Sequence, residues 1–318
     1  MPFVFDRNKV LTTPIIDIVN AIKLQSSLDG NYLLKDVEIR QQNIVVTCPI
    51  HKGGHENKPA CNILAVDKGN TPAGTAHCFS CGYRANIIKF TADCLGMSYR
   101  KATEWLLGFC DYSILEEQRD IGGIEFSEKG TDPYSEIKTV GIDELKKYDY
   151  IHPYMFERKL TDYTIEKFEI GYDPETESIT FPVYVDGRCL FVARRKVGYK
   201  RFDLPKISPK PLYLADYLTE NEVYVCESCF NALTVWEYGK QAIALFGTGS
   251  HEQIDMLKKL PQRKLILALD GDEAGENGCK RISGGIDNKI VTRLVLPDGK
   301  DINDLTREEF YSLEEAFI

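Results

Sequence analysis

The stretch from residue 48 to residue 81 begins with Cys-x2-His and ends with Cys-x2-Cys. Zinc prefers four tetrahedral sulfur and nitrogen ligands, and two close pairs on separate turns supply that geometry with little chain strain. Cys48 and His51 form the first pair, and Cys78 and Cys81 form the second. We therefore predict that one structural zinc ion closes this loop and fixes the fold of the chain around it.

Other potential ligands lie in the same stretch, and spacing alone leaves them open. His77 adjoins Cys78 and would point to the opposite side of an extended strand. Cys61 adjoins the strand-like segment NILAV. We interpret His55, Cys61 and His77 as structural residues; the simpler alternative is that the cysteines are ordinary buried residues that happen to lie three positions apart.

Composition indicates a globular protein without a disulfide framework. Apolar residues make up 43% of the 318 residues and charged residues 27%, which is ordinary for a globular chain of two or three domains. No signal peptide and no run of about 18 apolar residues is visible, so we expect a cytoplasmic protein with no membrane partner. Ten cysteines in a reducing compartment are more often metal ligands or buried apolar residues than disulfides.

The net charge of −9 conceals a segregation of charge along the chain. Residues 40–110 contain eight Lys and Arg against four Asp and Glu, and residues 186–210 contain eight against two. Between them, residues 111–150 contain five basic residues against eleven acidic ones. Because local potential steers a polyanion, two basic regions on either side of an acidic segment are compatible with a nucleic-acid partner.

Hydrophobic periodicity predicts the order of the elements. Thr13-Pro14 is predicted to begin a helix, with Thr13 as its N-cap, and short strands surround the cysteines. Residues 86–94 and 98–107 have the spacing of two helices, and 111–147 has the composition of a linker. From residue 222 onward, buried-type strands alternate with helical stretches, which is typical of a largely parallel α/β sheet.

Acidic residues follow the apolar strands of this second region. Asp270 and Asp272 come directly after KLILAL, and Glu227 comes after EVYVC. Alternate residues project to one side of an extended chain, so Asp-x-Asp can direct two carboxylates into one cleft. A lone Asp at such a place is usually a turn or helix cap, but three clusters behind three strands favour a site for Mg²⁺. The third cluster follows the last strand: Asp298, Asp301 and Asp304.

The basic stretch 186–210 provides candidate contacts to phosphates. These are Arg194, Arg195, Lys200, Arg201 and Lys210. The alternative is a solvated basic pair of strands without a ligand. Tyr199 and Phe202 lie among these charges and could stack on bases, with core packing as the alternative.

The motifs CPIH, CFSCGYRANIIKF and GMSYRKATEWL closely resemble the zinc-ribbon domain of bacterial and phage DNA primases. In that family a Cys-Pro-x-His pair precedes Cys-Phe-x-Cys-Gly and two helices, and the domain helps to select where a primer begins. The resemblance implies that exposed basic residues of the ribbon contact the template: Lys52, Lys58, Arg84 and Lys89. A solvated basic face is the alternative.

The acidic motifs resemble the Toprim domain of primases, topoisomerases and some nucleases. Its Glu and its Asp-x-Asp fall on Glu227, Asp270 and Asp272, and the Gly-x-Asp of primases falls on Asp301. The sequence departs from the family pattern at three positions, where Ser228 replaces a Gly, and Asn231 and Asn303 replace acids. An Asn in place of Asp could still coordinate through its carbonyl oxygen.

FEIGY, FPVY and the Arg pair resemble the basic subdomain that precedes Toprim in primases. Together the resemblances imply a multidomain α+β and α/β protein. The expected order is a zinc-binding β ribbon with helices (1–110), an acidic linker (111–147), a basic subdomain (148–215) and a Toprim domain (216–318).

The resemblance implies a DNA primase, a nucleotidyltransferase that makes short RNA primers on single-stranded DNA. Glu227, Asp270, Asp272 and Asp301 would then be catalytic, with Mg²⁺ or Mn²⁺ as the catalytic cofactor beside the structural zinc. Expected partners are the template, nucleoside triphosphates and possibly a replicative helicase as a separate chain. The length suggests a phage or mobile-element origin.

Two alternatives remain at this point. A Toprim nuclease would explain Glu227 and the Asp-x-Asp motif, but not the zinc ribbon or the basic subdomain. A non-catalytic, zinc-dependent binding protein for single-stranded DNA would explain Ser228 and Asn231 as signs of a decayed site. Binding of Mg²⁺ or Mn²⁺ at Asp270 and Asp272 distinguishes these alternatives, because a decayed site should bind these ions poorly.

Overall fold

A computed structural model describes residues 4–6, 9–69, 71–114 and 133–318. Contacts within the chain divide it into two units, each with buried apolar residues of its own. The first unit comprises residues 1–144 and 186–190, and the second comprises 145–185 and 191–318. The predicted boundaries of the four segments stay a prediction, and about half of the expected linker, 115–132, lies outside the described residues.

The helices and strands of the first unit follow one another in chain order: β1 (Val4–Asp6), β2 (Lys9–Leu11), α1 (Ile15–Leu28), β3 (Glu38–Arg40), β4 (Asn43–Val46), β5 (Cys61–Leu64), β6 (Ala76–Cys78), β7 (Arg84–Ala85), α2 (Ile87–Leu95), α3 (Tyr99–Phe109), β8 (Tyr112–Ile114) and α4 (Ile142–Leu145). Strands β1, β2 and β8 form a three-stranded sheet. Strands β3 to β7 form an antiparallel meander in sequence order.

One face of the five-stranded meander is apolar. Ile44, Ile63 and Ala76 lie opposite one another across β4, β5 and β6, and all three are fully buried. Helix α2 begins with Asn86, whose side chain accepts a hydrogen bond from the Lys89 amide. This cap satisfies a backbone amide that the start of a helix leaves without a partner. Helices α2 and α3 confirm the two helices predicted after the cysteines.

Helix α1 forms where it is predicted, but the predicted cap is wrong. Pro14 occupies the N-cap position, and no side chain caps the helix. The Thr13 hydroxyl instead accepts a hydrogen bond from the Asp111 amide at 2.8 Å. A contact between residues so far apart in sequence exists only once the unit has folded, so the local motif could not reveal it.

The second unit continues the chain in the following order: α5 (Pro153–Glu157), α6 (Asp162–Lys167), β9 (Gly171–Asp173), β10 (Ser178–Val185), β11 (Arg188–Lys196), β12 (Phe202–Asp203), β13 (Glu222–Cys226), α7 (Cys229–Glu237), β14 (Ala242–Ala244), α8 (His251–Lys259), β15 (Lys264–Leu267), α9 (Glu273–Gly285), β16 (Ile290–Leu294), α10 (Arg307–Ser312) and β17 (Glu315–Phe317). Short 3-10 turns lie at Lys146–Tyr148, Ala215–Tyr217 and Ile302–Asp304. Strands β9 to β12 form a four-stranded sheet.

The remaining strands form a five-stranded sheet in the order β14-β13-β15-β16-β17. The first four are parallel and β17 is antiparallel, so the predicted, largely parallel α/β sheet is confirmed. Val225, Ile243, Leu265 and Leu267 are almost completely buried, as expected for strands with helices on both sides. No helix among the described residues is long and apolar enough to cross a lipid bilayer.

Candidate metal centres and nucleic-acid contacts

Three cysteine sulfurs converge in the first unit. The Sγ atoms of Cys48, Cys78 and Cys81 all lie within 4.8 Å of one another, and those of Cys48 and Cys81 are 3.8 Å apart. Two sulfurs that each lie about 2.3 Å from a tetrahedral zinc ion are about 3.8 Å from each other. The three thiols therefore fit one zinc ion. Burial raises the pKa of Cys78 to about 12, so zinc must displace protons when it binds.

His51, the fourth predicted ligand, lies outside the three-sulfur group but adjoins it. Its backbone N–H donates to Cys48 Sγ at 3.4 Å, and its ring Nδ1 lies 2.8 Å from Glu56 Oε2. Glu56 is buried and also accepts hydrogen bonds from the Cys48 and Ala60 amides. Because Nδ1 faces this carboxylate, Nε2 is the ring nitrogen left for a metal.

The competing ligands occupy different environments. Cys61 is fully buried, and its thiol is the main cause of a raised pKa at Cys48, so the two thiols are neighbours. Cys61 is nevertheless not part of the three-sulfur group. His77 is half-buried on the face of β6 opposite to Cys78, and His55 is exposed.

Glu56 is a candidate supporting residue of the zinc site that the sequence motifs did not indicate, although it lies between the two ligand pairs. Replacing Glu56 by Ala is expected to weaken zinc binding about 10- to 100-fold, because His51 loses the partner that orients its ring. Competition with a chromophoric zinc chelator measures this change. Glu56→Gln is the matched control and should retain most of the affinity, since its carbonyl oxygen still accepts hydrogen bonds. Equal affinities for Glu56→Ala and the wild type would contradict this role.

The acidic residues of the second unit lie at the carboxyl ends of adjacent parallel strands. Glu227 directly follows β13, and Asp270 follows β15, its neighbour in the sheet. From β13 the chain goes to β14 on one side, whereas from β15 it goes to β16 on the other. The two carboxylates therefore flank the topological switch point, where open α/β sheets bind their ligands. Glu227 Oε1 accepts a hydrogen bond from the Asp270 amide at 3.2 Å.

Gly271 allows the loop after β16 to pack against the segment that contains Asp270. A Cβ atom on Gly271 would lie 2.4 Å from the Pro297 carbonyl oxygen and 3.0 Å from that of Lys300. The loop after β16 packs on this glycine, and the Gly271 amide donates to the Lys300 carbonyl at 2.9 Å. Asp301 follows directly, so the loop brings its carboxylate towards Asp270. Any side chain at position 271 would displace the loop.

Mutual repulsion and burial characterise this cluster. Burial, Glu227 and Asp301 together raise the pKa of Asp270 to about 7, and burial raises the pKa of Glu227. Asp272 is exposed and caps α9 by accepting a hydrogen bond from Gly275 at 2.8 Å. Among the described residues these carboxylates form no closed group within 4.8 Å of one another. An open cluster of like charges fits a hydrated divalent cation that also binds phosphate oxygens.

The residues that depart from the family pattern make hydrogen bonds that support Asp270. The Ser228 hydroxyl caps α7 by accepting from the Asn231 amide, and Asn231 is fully buried. Asn231 Nδ2 donates to Asp270 Oδ1 at 3.0 Å, while its Oδ1 accepts from the Asn303 amide. The Asn231 carbonyl is therefore engaged within the protein. Coordination of a metal by the second lone pair of this oxygen, which the sequence left open, stays a prediction.

The raised pKa of Asp270 implies pH-dependent cation binding. Below pH 7 a cation must displace a proton, so Mg²⁺ should bind about tenfold more weakly at pH 6 than at pH 8. Folding stability of the cation-free protein has a related dependence. The folded-state pKa lies above the ordinary value of 3.8 for an Asp side chain, so the contribution of Asp270 to the free energy of unfolding falls as pH rises from about 4 to 7. Calorimetric titration at both pH values measures the affinity, and equal affinities would contradict the assignment.

The predicted basic contacts fall into two groups. Arg194 is held within the protein by Asp173 (Nε to Oδ2, 2.9 Å) and by the Tyr148 hydroxyl (2.7 Å). Arg201 is exposed but paired with Asp203 at 2.8 Å. In contrast, Lys200 and Lys210 are exposed, and Lys210 contacts the carbonyl of Phe246 at 3.3 Å. Arg194 is therefore paired within the protein, and its predicted contact to a phosphate stays a prediction.

Arg195 is half-buried, and it has a partner that our sequence reasoning missed. Burial and the nearby charge of Arg158 lower the pKa of Arg195. The Arg158 guanidinium lies 4.9 Å from the ring centroid of Phe230, in the first turn of α7 behind Glu227. Arg158 Nε is buried and makes no hydrogen bond within the described part of the chain. Two guanidiniums that repel each other and have no carboxylate partner among the described residues suit a phosphate group.

The aromatic residues of the basic stretch also differ from each other. Phe202 stacks on Phe181 at 5.8 Å and contacts Phe246, so core packing is the correct interpretation. Tyr199 is 71% exposed, so stacking on a base stays a prediction for this residue.

The basic residues predicted to contact the template lie in the first unit, where Lys52, Lys58 and Arg84 are exposed. Lys89 is buried against Asp93 and two tyrosine rings, so its assignment as a template contact is wrong.

The chain is similar to a Toprim-like family model and to several bacterial DNA primases. Residues 224–306 match the family model described as Toprim-like. Over 335 aligned positions the chain is 24% identical to a DNA primase of Campylobacter jejuni, with 85% of this chain and 52% of that protein covered. A DNA primase of Staphylococcus epidermidis is 25% identical over 340 positions, which cover 86% and 54%. The chain spans about half the length of the curated relatives that it matches.

Solved structures include similar chains. The zinc-binding and RNA polymerase domains of the Aquifex aeolicus primase superpose with a TM-score of 0.48 at 18% identity, covering 94% of this chain and 86% of that one. The primase fragment of the bacteriophage T7 primase-helicase protein has a TM-score of 0.45 at 17% identity and covers 72% and 84%.

Proposed function

We propose that this chain is a DNA primase that synthesises short RNA primers on single-stranded DNA. The observation that carries the proposal is the convergence of Glu227, Asp270 and Asp301 from three neighbouring strand ends at the switch point of the sheet. Similarity to curated DNA primases over most of the chain supports it. The intact carboxylates argue against a decayed, non-catalytic site.

The acidic cluster would hold the catalytic divalent cation, Mg²⁺ or Mn²⁺, through Glu227, Asp270 and Asp272, with Asp301 beside them. When bound, such a cation neutralises triphosphate charge and lowers the pKa of an attacking hydroxyl. Asn231 keeps the Asp270 carboxylate in place by donating a hydrogen bond to it. The protein provides no dedicated base in this scheme, so positioning and electrostatics supply most of the rate.

The basic residues of the second unit would align the triphosphate and the template–primer backbone. Arg158 and Arg195 are the strongest candidates for the triphosphate, because their positive charges repel each other and have no carboxylate partner among the described residues. Lys200 and Lys210 are exposed and suit the nucleic-acid backbone. The zinc site held by Cys48, His51, Cys78 and Cys81 would keep the ribbon folded for template selection. A helicase on a separate chain is a further possible partner of such a primase.

Primer synthesis tests the proposal directly. The protein is incubated with the four NTPs, Mg²⁺ or Mn²⁺, and single-stranded DNA templates that together contain all trinucleotides. RNA products of a few nucleotides that depend on template and cation would support the proposal. Cleavage of the template would favour a Toprim nuclease. Tight DNA binding without products under any condition would favour a binding protein and contradict the proposal.

A further inference from the structure

A buried amide side chain joins three segments of the second unit. Asn303 lies in the loop after β16 and is only 6% exposed. Its Nδ2 donates two hydrogen bonds, to the Arg158 carbonyl at 2.9 Å and to Thr234 Oγ1 at 2.7 Å. An amide nitrogen has two protons, so both are used within the protein. The Asn303 side chain thus connects the loop after β16 to the end of α5 and to the middle of α7.

The main chain of Asn303 extends this network to the acidic cluster. Its amide donates to Asn231 Oδ1 at 3.3 Å. An Asn side chain has one oxygen that accepts and one nitrogen that donates, so this contact fixes the orientation of the Asn231 amide. The Asn231 nitrogen therefore faces Asp270 and donates to its Oδ1 at 3.0 Å. Two successive hydrogen bonds separate Asn303 from Asp270, a proposed ligand of the cation.

The Asn303 side chain also fixes Arg158 along two routes. The first is the direct hydrogen bond to the Arg158 carbonyl. The second passes through Thr234, whose hydroxyl donates to the Phe230 carbonyl at 2.8 Å. The Phe230 ring lies 4.9 Å from the Arg158 guanidinium. Asn303 is therefore linked both to the backbone of Arg158 and to the ring against which the guanidinium packs.

The backbone beside Arg158 is strained, and the loop after β16 holds it in place. Lys159 has a φ angle of 63°, a left-handed conformation that costs free energy for a residue with a Cβ atom. The Lys159 ammonium group donates to the Leu305 carbonyl at 2.6 Å, which also accepts a hydrogen bond from the Tyr238 hydroxyl at 2.6 Å. A strained conformation persists only where the surrounding structure holds it. Contacts from the loop therefore set the course of the chain at Arg158.

We propose that Asn303 is a positioning residue that holds Arg158 and Asp270 in one fixed arrangement. The two groups act on the same substrate, because a cation held by carboxylates binds phosphate oxygens and a guanidinium binds them as well. Groups that are already in place need not reorganise when charge develops in the transition state, so their arrangement contributes to the rate. The catalytic use of Arg158 and Asp270 rests on the proposed function.

Two binding measurements on the zinc-loaded chain, without a template, test this role. Electron paramagnetic resonance of free Mn²⁺ measures binding of the cation. Fluorescence of a labelled ATP analogue, in buffer freed of other divalent cations by a chelating resin, measures binding of the triphosphate alone. Asn303→Ala should weaken both about three- to tenfold, because each group loses a hydrogen bond that fixes it. Asn303→Ser should weaken both less, since its hydroxyl has one proton for the two oxygens that the amide contacts.

Two control variants separate positioning from general stability. Asn288 is exposed and donates from its Nδ2 to the Lys258 carbonyl at 3.1 Å, so Asn288→Ala removes a similar hydrogen bond elsewhere in the second unit. Ile254 belongs to the apolar core of the parallel sheet, and Ile254→Val should lower the thermal midpoint without altering the network. Neither control should change the affinity for Mn²⁺ or for the ATP analogue.

The two affinities of Asn303→Ala decide between positioning and its alternatives. Loss of both, where Ile254→Val loses neither, supports the proposal. Weaker Mn²⁺ binding with unchanged cation-free ATP binding would make Asn303 a cation ligand and overturn it. Loss of ATP binding alone would overturn the link to Asp270, and two unchanged affinities would leave the network a role in folding only. Primer synthesis is measured separately. A wild type that makes no primers contradicts the proposed function, whereas primers with unchanged affinities in Asn303→Ala contradict only this inference.

Discussion

Replacing Asp270 by Asn is expected to reduce the primer synthesis proposed for this chain by roughly 1,000-fold while making the cation-free protein more stable. The loss of rate follows because a proposed ligand of the catalytic cation, surrounded by four other acidic residues, is removed; a thousandfold corresponds to about 4 kcal/mol of transition-state stabilisation. The gain in stability follows because the half-buried carboxylate of Asp270 and its acidic neighbours repel one another. The uncharged Asn removes that repulsion while it still accepts the hydrogen bond from Asn231.

The two effects are measured separately. Primer synthesis is followed with labelled NTPs, and thermal unfolding is followed at pH 8 in the presence of a chelator, where Asp270→Asn should raise the midpoint by a few °C. Asp272→Asn should also abolish synthesis while it preserves the cap of α9, because Asn is an equally good N-cap residue. Glu273→Gln is the charge-matched control, since Glu273 is exposed in the first turn of the same helix. A full rate for Asp270→Asn would refute the assignment of the acidic cluster.

Removal of the metal from the three-sulfur site is expected to unfold the ribbon while the second unit stays folded. The meander that carries Cys48, Cys78 and Cys81 consists of strands of two to four residues, which bury little apolar surface of their own. Structural zinc contributes roughly 10 kcal/mol to folding in small domains. The parallel sheet has a separate apolar core of long aliphatic side chains, and this core does not involve the cysteines of the site.

Hydrogen exchange followed by mass spectrometry distinguishes the two units. After treatment with a strong zinc chelator, or in Cys78→Ser, amides of β4 to β6 should exchange rapidly and those of β13 and β15 should remain protected. Cys61→Ala is the control, because Cys61 is a buried cysteine outside the three-sulfur group. If Cys61→Ala lost zinc while His51→Ala retained it, Cys61 would be the fourth zinc ligand and His51 would be a structural residue. Continued protection of β4 to β6 in Cys78→Ser would show that the ribbon folds without the metal.

The positions of the helices and strands, and the residue types of both sites, could be predicted from the sequence. Periodicity reveals strands because alternate residues are buried, and the strands after Glu222 and around the cysteines form as expected. The spacing of Cys78 and Cys81 and the Asp-x-Asp motif are local features, so their chemistry is visible without a structure. The positive charge of the stretch 186–210 could be predicted in the same way. Which of its basic side chains are paired within the protein could not.

The partners of individual side chains depended on the tertiary structure, because they join residues that lie far apart in the sequence. Arg194 has the same local signature as Arg195, yet Asp173 and Tyr148 bind the former within the protein. Lys89 belongs to a basic segment but is buried between two tyrosine rings. Short-range patterns contain no information about which residue of another element will face a charge, since packing determines that pairing.

Asn231 shows this division most clearly. From the sequence alone, the residue was a missing acid and a possible sign of a decayed site. In the fold, its buried amide donates to Asp270 and accepts from Asn303, so it supports the carboxylate beside it. The sequence by itself predicted the candidate ligands, and it determined the order of the elements and the two concentrations of positive charge. Only the tertiary structure decided which of these residues meet, because a hydrogen bond across 39 positions forms only when two strand ends become neighbours in one sheet.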